Sequence, residues 1–297
     1  MFEAVSSPYL VPFDGSFRVA DAPTRPPRKQ RSRRANKARL AELRDALYDL
    51  QRILYAYDRR AVLLVFQAMD AAGKDSTIRH VLSGVNPAGC RVYSFKKPSA
   101  EELEHDFLWR TTCRLPERGL IGVFNRSYYE EVLVVRVHPE LLDHQMVPRP
   151  SDLDTLWQER FESIRDHERH LARNGVVILK FWLNVSKDEQ RRRFLDRLEQ
   201  PHKNWKYEPN DVRERQFWDQ YMAAYEDALR ATSRPWAPWY AIPADDKPFM
   251  RACVADLIVR SLQTLDLQYP RLDPDVARTL DAMRRQLREE APETPPA

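Results

Sequence analysis

Residues 65–84 read VFQAMDAAGKDSTIRHVLSG, an apolar strand-like segment that runs into Gly73 and Lys74. A strand, a loop and then Gly-Lys at the start of a helix direct backbone N–H groups and the helix N-terminus at an anion, and the lysine adds a point charge. The segment therefore predicts a phosphate-binding loop. An ordinary strand-to-helix turn is the alternative, because a bare Gly-Lys pair often arises by chance.

The loop departs from the usual pattern G-x-x-x-x-G-K-[ST] at two of its four fixed positions. Ala68 stands at the first glycine, and Asp75 stands where a hydroxyl is expected. Asp70 also lies inside the loop, where an acid repels phosphate unless it holds a cation or transfers a proton. Magnesium would account for this acid.

A second apolar segment, GLIGVFNRS at 119–127, ends in Asn125 and Arg126. Nucleoside-triphosphate enzymes usually carry an aspartate that helps to hold magnesium at the end of such a strand. Asn125 and Arg126 are therefore candidate site residues. The alternative is that the asparagine forms a turn and the arginine is a surface charge.

A helix predicted to begin after Ser186 is rich in arginine. Its arginines are Arg191, Arg192, Arg193 and Arg197. Arg193 and Arg197 are stacked at i and i+4 and could close over transferring phosphates. Residues 186–215 hold nine basic and seven acidic residues, so a solvated helix with internal salt bridges is the alternative.

Apolar and amphipathic segments alternate along the chain, which predicts a doubly wound α/β fold with a parallel sheet. The five strand segments are AVLLVFQ, CRVYSFKKP, GLIGVFNRS, VVILKFWLNV and PWYAIPAD. One helix is expected over SAEELEHDFLWRTTCRL, with Ser99 as its cap and Glu102 three residues on. Another is expected from Ser151 to Gly175, over SDLDTLWQERFESIRDHERHLARNG.

Composition excludes several classes of protein. Three cysteines without paired spacing indicate neither a disulfide framework nor a zinc site. The apolar stretches near 61–69 and 176–185 are too short to span a bilayer, so we expect no membrane segment and a cytoplasmic location. The formal net charge is only +4, but the run from Arg25 to Arg44 holds nine Lys or Arg and one acid. This run suits a polyanionic partner, or is a solvated arm.

Five segments closely resemble the polyphosphate kinase 2 family. They are LYAYDRRAVLLVFQAMDAAGKDSTIRHVLSGVNPAG, SFKKPSAEELEHDFLWR, PERGLIGVFNRSYYEEVLVVRVHPELL, VSKDEQRRRFLDRLEQPHKNWKY and APWYAIPADDKPF. The similarity runs in order from about Phe13 to about Pro270. Within the family the chain resembles the third class, whose members phosphorylate AMP and ADP from inorganic polyphosphate. Asn125 followed by Glu130 is the third-class pattern, whereas the first class carries an aspartate at the position of Asn125.

The resemblance implies a P-loop kinase fold similar to thymidylate kinase, with a parallel five-stranded sheet flanked by helices, a helical lid and magnesium as cofactor. The expected organisation is an extended basic N-terminal arm at 1–35, a kinase domain at 36–270 with its lid at about 186–215, and a C-terminal tail at 271–297. Homo-oligomers are also expected, since family members commonly form them.

The resemblance also assigns site residues. The expected catalytic residues are Asp70, Lys74, Asn125, Arg126 and Glu130, and the expected metal ligands are Asp70, Asn125 and Glu130. The expected phosphate-binding residues are Met69, Ala71, Ala72, Gly73, Asp75, Ser76, Lys96, Lys97, Arg193 and Arg197. Ser76 stands where the family commonly has glycine, and Ala68 replaces the first glycine of the loop.

A donor that is a chain of phosphates without a nucleoside accounts for the missing hydroxyl. The loop then binds a repeating anion. Asp70 holds the metal, and the same carboxylate orients or deprotonates the acceptor. Positioning and charge neutralisation supply most of the rate in such a transfer. The alternatives are an ATP-dependent nucleotide kinase on the same fold and a non-catalytic nucleic-acid binder. A nucleic-acid partner is not expected, because charge runs are common and the loop pattern is not.

Overall fold

Five parallel strands form one sheet in the computed structural model, which describes residues 1–28, 32–148, 150, 152–201 and 209–290. The strands are β1 Ala61–Gln67, β2 Cys90–Ser94, β3 Ile121–Asn125, β4 Val176–Asn184 and β5 Trp239–Pro243. Their order across the sheet is β2-β3-β1-β4-β5. The predicted α/β fold with a parallel five-stranded sheet is therefore confirmed, and β1 is the central strand.

Helices connect and cover the strands. They are α1 Arg33–Tyr57, α2 Lys74–Val81, α3 Ala100–Leu103, α4 Trp109–Thr112, α5 Glu130–Val137, α6 Leu153–Arg173, α7 Lys187–Glu199, α8 Pro209–Glu214, α9 Trp218–Thr232, α10 Lys247–Gln263 and α11 Pro274–Glu289. Within the described ranges, no helix combines the length and the apolar character that crossing a membrane would require.

The core lies between the sheet and two groups of helices. Every residue of β1, β3, β4 and β5 is buried, as expected for continuous apolar runs in a parallel sheet. α1 packs on α10, which also contacts α2 and β5, and α5 packs on α9 and α6. The apolar stripe of α1 is buried at Leu40, Leu43, Leu47 and Leu54.

The N-terminal segment lies along the edge strand β5. The Val11 N–H donates to the Trp239 carbonyl at 2.9 Å, and the Ala241 N–H donates to the Tyr9 carbonyl at 2.8 Å. Phe2, in the same N-terminal segment, is buried. Much of the predicted arm, residues 1–35, is therefore packed on the sheet, and its last residues belong to the start of α1.

The prediction of one continuous helix over residues 99–115 is wrong. The structure has two short helices, α3 and α4, separated by a turn at Asp106. The Asp106 carboxylate accepts from the Leu108 N–H at 2.9 Å and its carbonyl accepts from the Trp109 N–H at 3.0 Å. An aspartate that bonds nearby backbone in this way competes with helix continuation. The predicted capping box between Ser99 and Glu102 is present.

The start of α6 also differs from the prediction. Ser151, the expected cap, lies outside the described residues. Asp152 caps the helix, because its carboxylate accepts from the N–H groups of Asp154 and Thr155. The end of the helix agrees with the prediction, since Gly175 follows α6 with a positive φ of 82°.

Candidate active site

The loop after β1 carries the conformation that the sequence pattern predicts. α2 begins at Lys74, and its N-cap is Gly73 with a φ of 108°, a left-handed value that favours glycine. Ala71 also has a positive φ of 59°. The N–H groups of the first residues of α2, Lys74, Asp75 and Ser76, have no partner within the helix and are available to an anion.

The Lys74 side chain binds the backbone of its own loop. Its Nζ donates to the Ala68 carbonyl at 2.6 Å. Burial lowers the pKa of the Lys74 ammonium, and the nearby Arg126 guanidinium lowers it further, while the carboxylates of Asp70 and Glu130 act in the opposite direction. A bound phosphate would compete with the Ala68 carbonyl for this ammonium.

Arg126 joins two of the predicted carboxylates. Its guanidinium lies 2.8 Å from Asp70 Oδ1 and 3.0 Å from Glu130 Oε2. These carboxylates, Glu130 first, raise the pKa of Arg126. The Arg126 backbone is left-handed, with a φ of 64°, and its N–H donates to the Phe66 carbonyl of β1 at 3.0 Å. The structure therefore brings Asp70, Lys74, Arg126 and Glu130 together at the carboxyl edge of the sheet.

Asn125 contacts the residue that replaces the loop hydroxyl. Its Nδ2 donates to Asp75 Oδ1 at 2.6 Å and to Ser94 Oγ at 3.3 Å. Its Oδ1 is buried and has no hydrogen-bond partner in the described part of the chain. A buried acceptor without a donor is uncommon in folded proteins and fits a cation or water as its partner.

The oxygen atoms at this edge are of the kind that could hold a hard cation jointly with a substrate. Asp70 and Glu130 each use one carboxylate oxygen for Arg126, and Asn125 adds its buried carbonyl oxygen. The described residues contain no group of three or more His, Cys, Asp or Glu side chains able to hold a metal ion. Magnesium is commonly bound by one or two carboxylates together with substrate phosphates and water.

Arg193, on α7, binds the backbone of the phosphate loop. It is buried, and its guanidinium donates to the carbonyls of Ala71 at 3.1 Å, Ala72 at 2.6 Å and Ala244 at 2.6 Å. Its Nε donates to Glu189 at 2.7 Å. In this arrangement Arg193 contacts loop backbone, so it would have to leave these carbonyls before it could contact a phosphate.

The remaining predicted residues lie at the periphery. Arg197 is half-buried and lies over the Phe194 ring at 5.4 Å. Lys96 and Lys97 are exposed in the turn after β2, next to the strand that carries Asn125. Met69 and Ala72 are buried in the loop, so their backbone alone is available to a ligand.

Two contributors to the site were missed from the sequence. Gln190 Nε2 donates to the Asp70 carbonyl at 2.9 Å, and Ser94 is a second acceptor for Asn125. Ser94 ends β2, and the carboxyl ends of parallel strands meet at one edge, so its position was a usable signal. Gln190 follows Ser186 by one helical turn, and only the packing of α7 places it on the loop.

The fold and the loop together define a class of protein. A parallel α/β sheet whose central strand leads through a Gly-Lys loop into a helix is the arrangement of P-loop kinases. The family model described as Polyphosphate kinase 2 matches residues 30–270. The chain belongs to the polyphosphate kinase 2 family, as the resemblance of its segments predicts.

Named relatives and a solved structure agree with this family. An ADP-polyphosphate phosphotransferase of Rhodopseudomonas palustris is 57% identical over 244 residues, which cover 82% of this chain and 84% of that protein. An AMP/ADP-polyphosphate phosphotransferase of Meiothermus ruber is 48% identical over 231 residues, which cover 78% and 82%. The crystal structure of polyphosphate kinase 2 from Arthrobacter aurescens TC1 matches with a TM-score of 0.82 at 35% identity, covering 95% of this chain and 99% of that chain.

Proposed function

We propose that this chain is a polyphosphate-dependent nucleotide kinase that transfers phosphoryl groups from inorganic polyphosphate to AMP and ADP, giving ADP and ATP. The observation that carries the proposal is the convergence of Lys74, Arg126 and two carboxylates at the carboxyl edge of the sheet. The relatives from Rhodopseudomonas palustris and Meiothermus ruber are named for polyphosphate transfer with ADP and with AMP or ADP.

The transfer is a displacement at phosphorus. A terminal phosphate oxygen of AMP or ADP attacks the terminal phosphorus of polyphosphate in line. The new P–O bond forms as the bond to the rest of the donor breaks, and the donor leaves one phosphate shorter with that electron pair. The second ionisation of a phosphate monoester has a pKa of about 6, so the attacking oxygen carries no proton at neutral pH. Asp70 therefore orients the acceptor and need not deprotonate it.

Cations of the chain neutralise the phosphates. The amides at the start of α2 and the Lys74 ammonium hold the end of the donor, once Lys74 has left the Ala68 carbonyl. Arg126 stabilises charge on the transferring group, because it is already fixed at this edge by Asp70 and Glu130. Preorganised cations of this kind supply most of the rate in phosphoryl transfer.

Magnesium is the cofactor that the oxygen ligands fit. Asp70, Glu130 and the Oδ1 atom of Asn125 would hold it jointly with substrate phosphates. When bound, Mg²⁺ neutralises charge on the phosphates that flank the breaking bond. The residues of this chain orient the donor and the acceptor around the breaking bond.

The absence of a loop hydroxyl agrees with a donor that has no nucleoside. In ATP-dependent P-loop enzymes the Ser or Thr after the lysine helps to bind Mg²⁺. Here Asp75 accepts a hydrogen bond from Asn125 instead. Location in the cytoplasm, a homo-oligomeric state and the absence of a nucleic-acid partner stay predictions.

One assay tests the proposal. The purified chain is mixed with Mg²⁺, polyphosphate and either AMP or ADP, and the nucleotides are separated by anion-exchange chromatography. We expect ADP and ATP from AMP, ATP from ADP, and no product when polyphosphate is omitted. Products that require ATP and not polyphosphate would support the ATP-dependent alternative. No turnover, together with RNA binding that survives Lys74→Ala, would support the nucleic-acid binder.

A further inference from the structure

Three basic side chains beside the loop have no role in the transfer described above. Arg79 lies on α2, and Lys247 and Arg251 lie one turn apart on α10, at the i and i+4 positions of one helix face. The two helices are in contact, with Thr77 Oγ1 3.8 Å from Met250 Sδ. We call Arg79, Lys247 and Arg251 the α2–α10 basic cluster.

The first turns of α10 lie against the phosphate loop. Met250 Cε lies 3.6 Å from the position that a Cβ on Gly73 would occupy, and an Arg193 nitrogen lies 3.8 Å from the same position. Arg193 also donates to the Ala244 carbonyl, just before α10. An anion that extends from the loop toward β5 therefore reaches the start of α10, where Lys247 lies.

The cluster has no directly paired acid in the described part of the chain. Arg79, Lys247 and Arg251 form no ion pair or hydrogen bond with described residues, and the buried Arg251 Nε has no acceptor. Burial, then Arg193 and Arg251, lower the pKa of Lys247 to about 8, while the Glu189 carboxylate acts in the opposite direction. Burial and Arg79 lower the pKa of Arg251. Gathered like charges are unfavourable until an anion binds between them.

Three acids around the start of α10 are already engaged by other arginines. Asp245 Oδ2 lies 3.5 Å from Arg25, and Asp246 Oδ2 lies 3.7 Å from Arg33. Glu189 lies between two arginines of α7. Arg25 and Arg33 therefore compensate the two aspartates that precede α10, and the cluster keeps a surplus of positive charge.

We propose that the α2–α10 basic cluster binds the part of a long polyphosphate that extends beyond the transfer site, and thereby favours long donors over short ones. The inference rests on the proposed function. A repeating phosphate chain presents charge at every unit, which suits three cations spread along one surface.

The test compares long-chain polyphosphate with tripolyphosphate as donor. In Lys247→Gln/Arg251→Gln we expect KM for the long chain to rise roughly tenfold, as for loss of charge-assisted phosphate contacts, and KM for tripolyphosphate to rise much less. The slope of log KM for the long chain against log salt should also become shallower by about 0.7 for each contact removed. The matched control is Arg285→Gln/Arg288→Gln, which removes two exposed cations from α11 and should leave the ratio of the two KM values unchanged.

The inference would be overturned if KM rose by the same factor for the two donors. It would also be overturned if the ratio of the two KM values were the same as in the control variant. Arg79→Gln covers the case in which the double variant does not fold, because Arg79 is exposed. If wild type turns over no polyphosphate, the proposed function fails. Equilibrium binding of long-chain polyphosphate to wild type and variant then still tests the cluster. Loss of single-stranded RNA binding, with polyphosphate binding intact, would assign the cluster to nucleic acid and also overturn the inference.

Discussion

At the scale of single residues, two departures from the common loop pattern compensate each other. Asp75 stands where a P-loop carries a hydroxyl, Asn125 stands where an aspartate is usual, and the two side chains form a hydrogen bond of 2.6 Å. Both positions were assigned from the sequence. Their contact was not, because 50 residues separate them and only the pairing of β1 with β3 brings them together. In this chain position 125 holds the hydrogen-bond donor and position 75 holds the acceptor, whereas the common pattern has a hydroxyl at position 75 and a carboxylate at position 125.

This exchange predicts a coupled pair of mutations. Asn125→Asp places a carboxylate against Asp75, and like charges at this distance disfavour each other, so we expect kcat to fall about tenfold or more. Asp75→Ser should also lower kcat, since the Asn125 amide loses its carboxylate acceptor. The double variant should recover much of the loss, because a serine hydroxyl at position 75 can donate to an aspartate at position 125. Steady-state kinetics with AMP and ADP measure the cycle, and additive losses would mean that the two positions act independently.

Lys74 and Asp70 give the most direct residue-scale prediction. We expect Lys74→Ala and Asp70→Asn each to lower kcat by about 10²-fold or more, the size typical for loss of one preorganised charge at a transition state. Thermal unfolding should change little, because Lys74 makes a single hydrogen bond in the loop. An Asp70→Asn enzyme with near-normal turnover at saturating magnesium would contradict the role of Asp70 in holding the metal or the acceptor.

At the scale of elements, the start of α7 was predicted from the sequence, whereas the direction in which its arginines face was not. Ser186 caps the helix by accepting from the Glu189 N–H at 3.1 Å, as the sequence indicated. Glu189 does not complete a capping box, however, because its carboxylate binds Arg192 and Arg193 and the Ser186 N–H donates to Asp245 instead. Helical spacing shows which arginines share a face. It does not show that Arg193 faces the backbone of the loop.

A comparison of two neighbouring arginines of α7 distinguishes a structural role from a lid role. Arg193 is buried and donates to backbone carbonyls, whereas Arg192 is exposed and binds Glu189 alone among the described residues. We expect Arg193→Met to lower the free energy of unfolding by at least ~3 kcal/mol, because several buried carbonyls lose their donor. Arg192→Met should cost less than about 1 kcal/mol. Urea unfolding measures both, and an Arg193→Met protein of normal stability with reduced kcat would favour the lid role.

At the scale of the whole molecule, the sequence predicts the class of fold and the number of strands but not the strand order. Alternating apolar and amphipathic segments are sufficient for a parallel sheet. The order follows from which crossovers pack together, and that depends on contacts between distant segments such as α1 and α10. The sequence likewise does not predict how the two ends of the chain pack. Both lie outside the matched range 30–270, yet the first packs on the sheet and α11 has no buried residue.

The two ends should therefore respond differently to truncation. Removing residues 1–17 deletes four buried apolar side chains, Phe2, Val5, Val11 and Phe17, each contributing about 1.5–3 kcal/mol, and exposes the backbone edge of β5. A loss of that size approaches the whole stability of a typical domain, about 5–15 kcal/mol. Removing residues 271–297 deletes an exposed helix and should leave both the urea midpoint and kcat near wild type. If the two truncations reduce stability equally, the contacts of the N-terminal segment with β5 contribute little, and its packing on the sheet does not stabilise the fold.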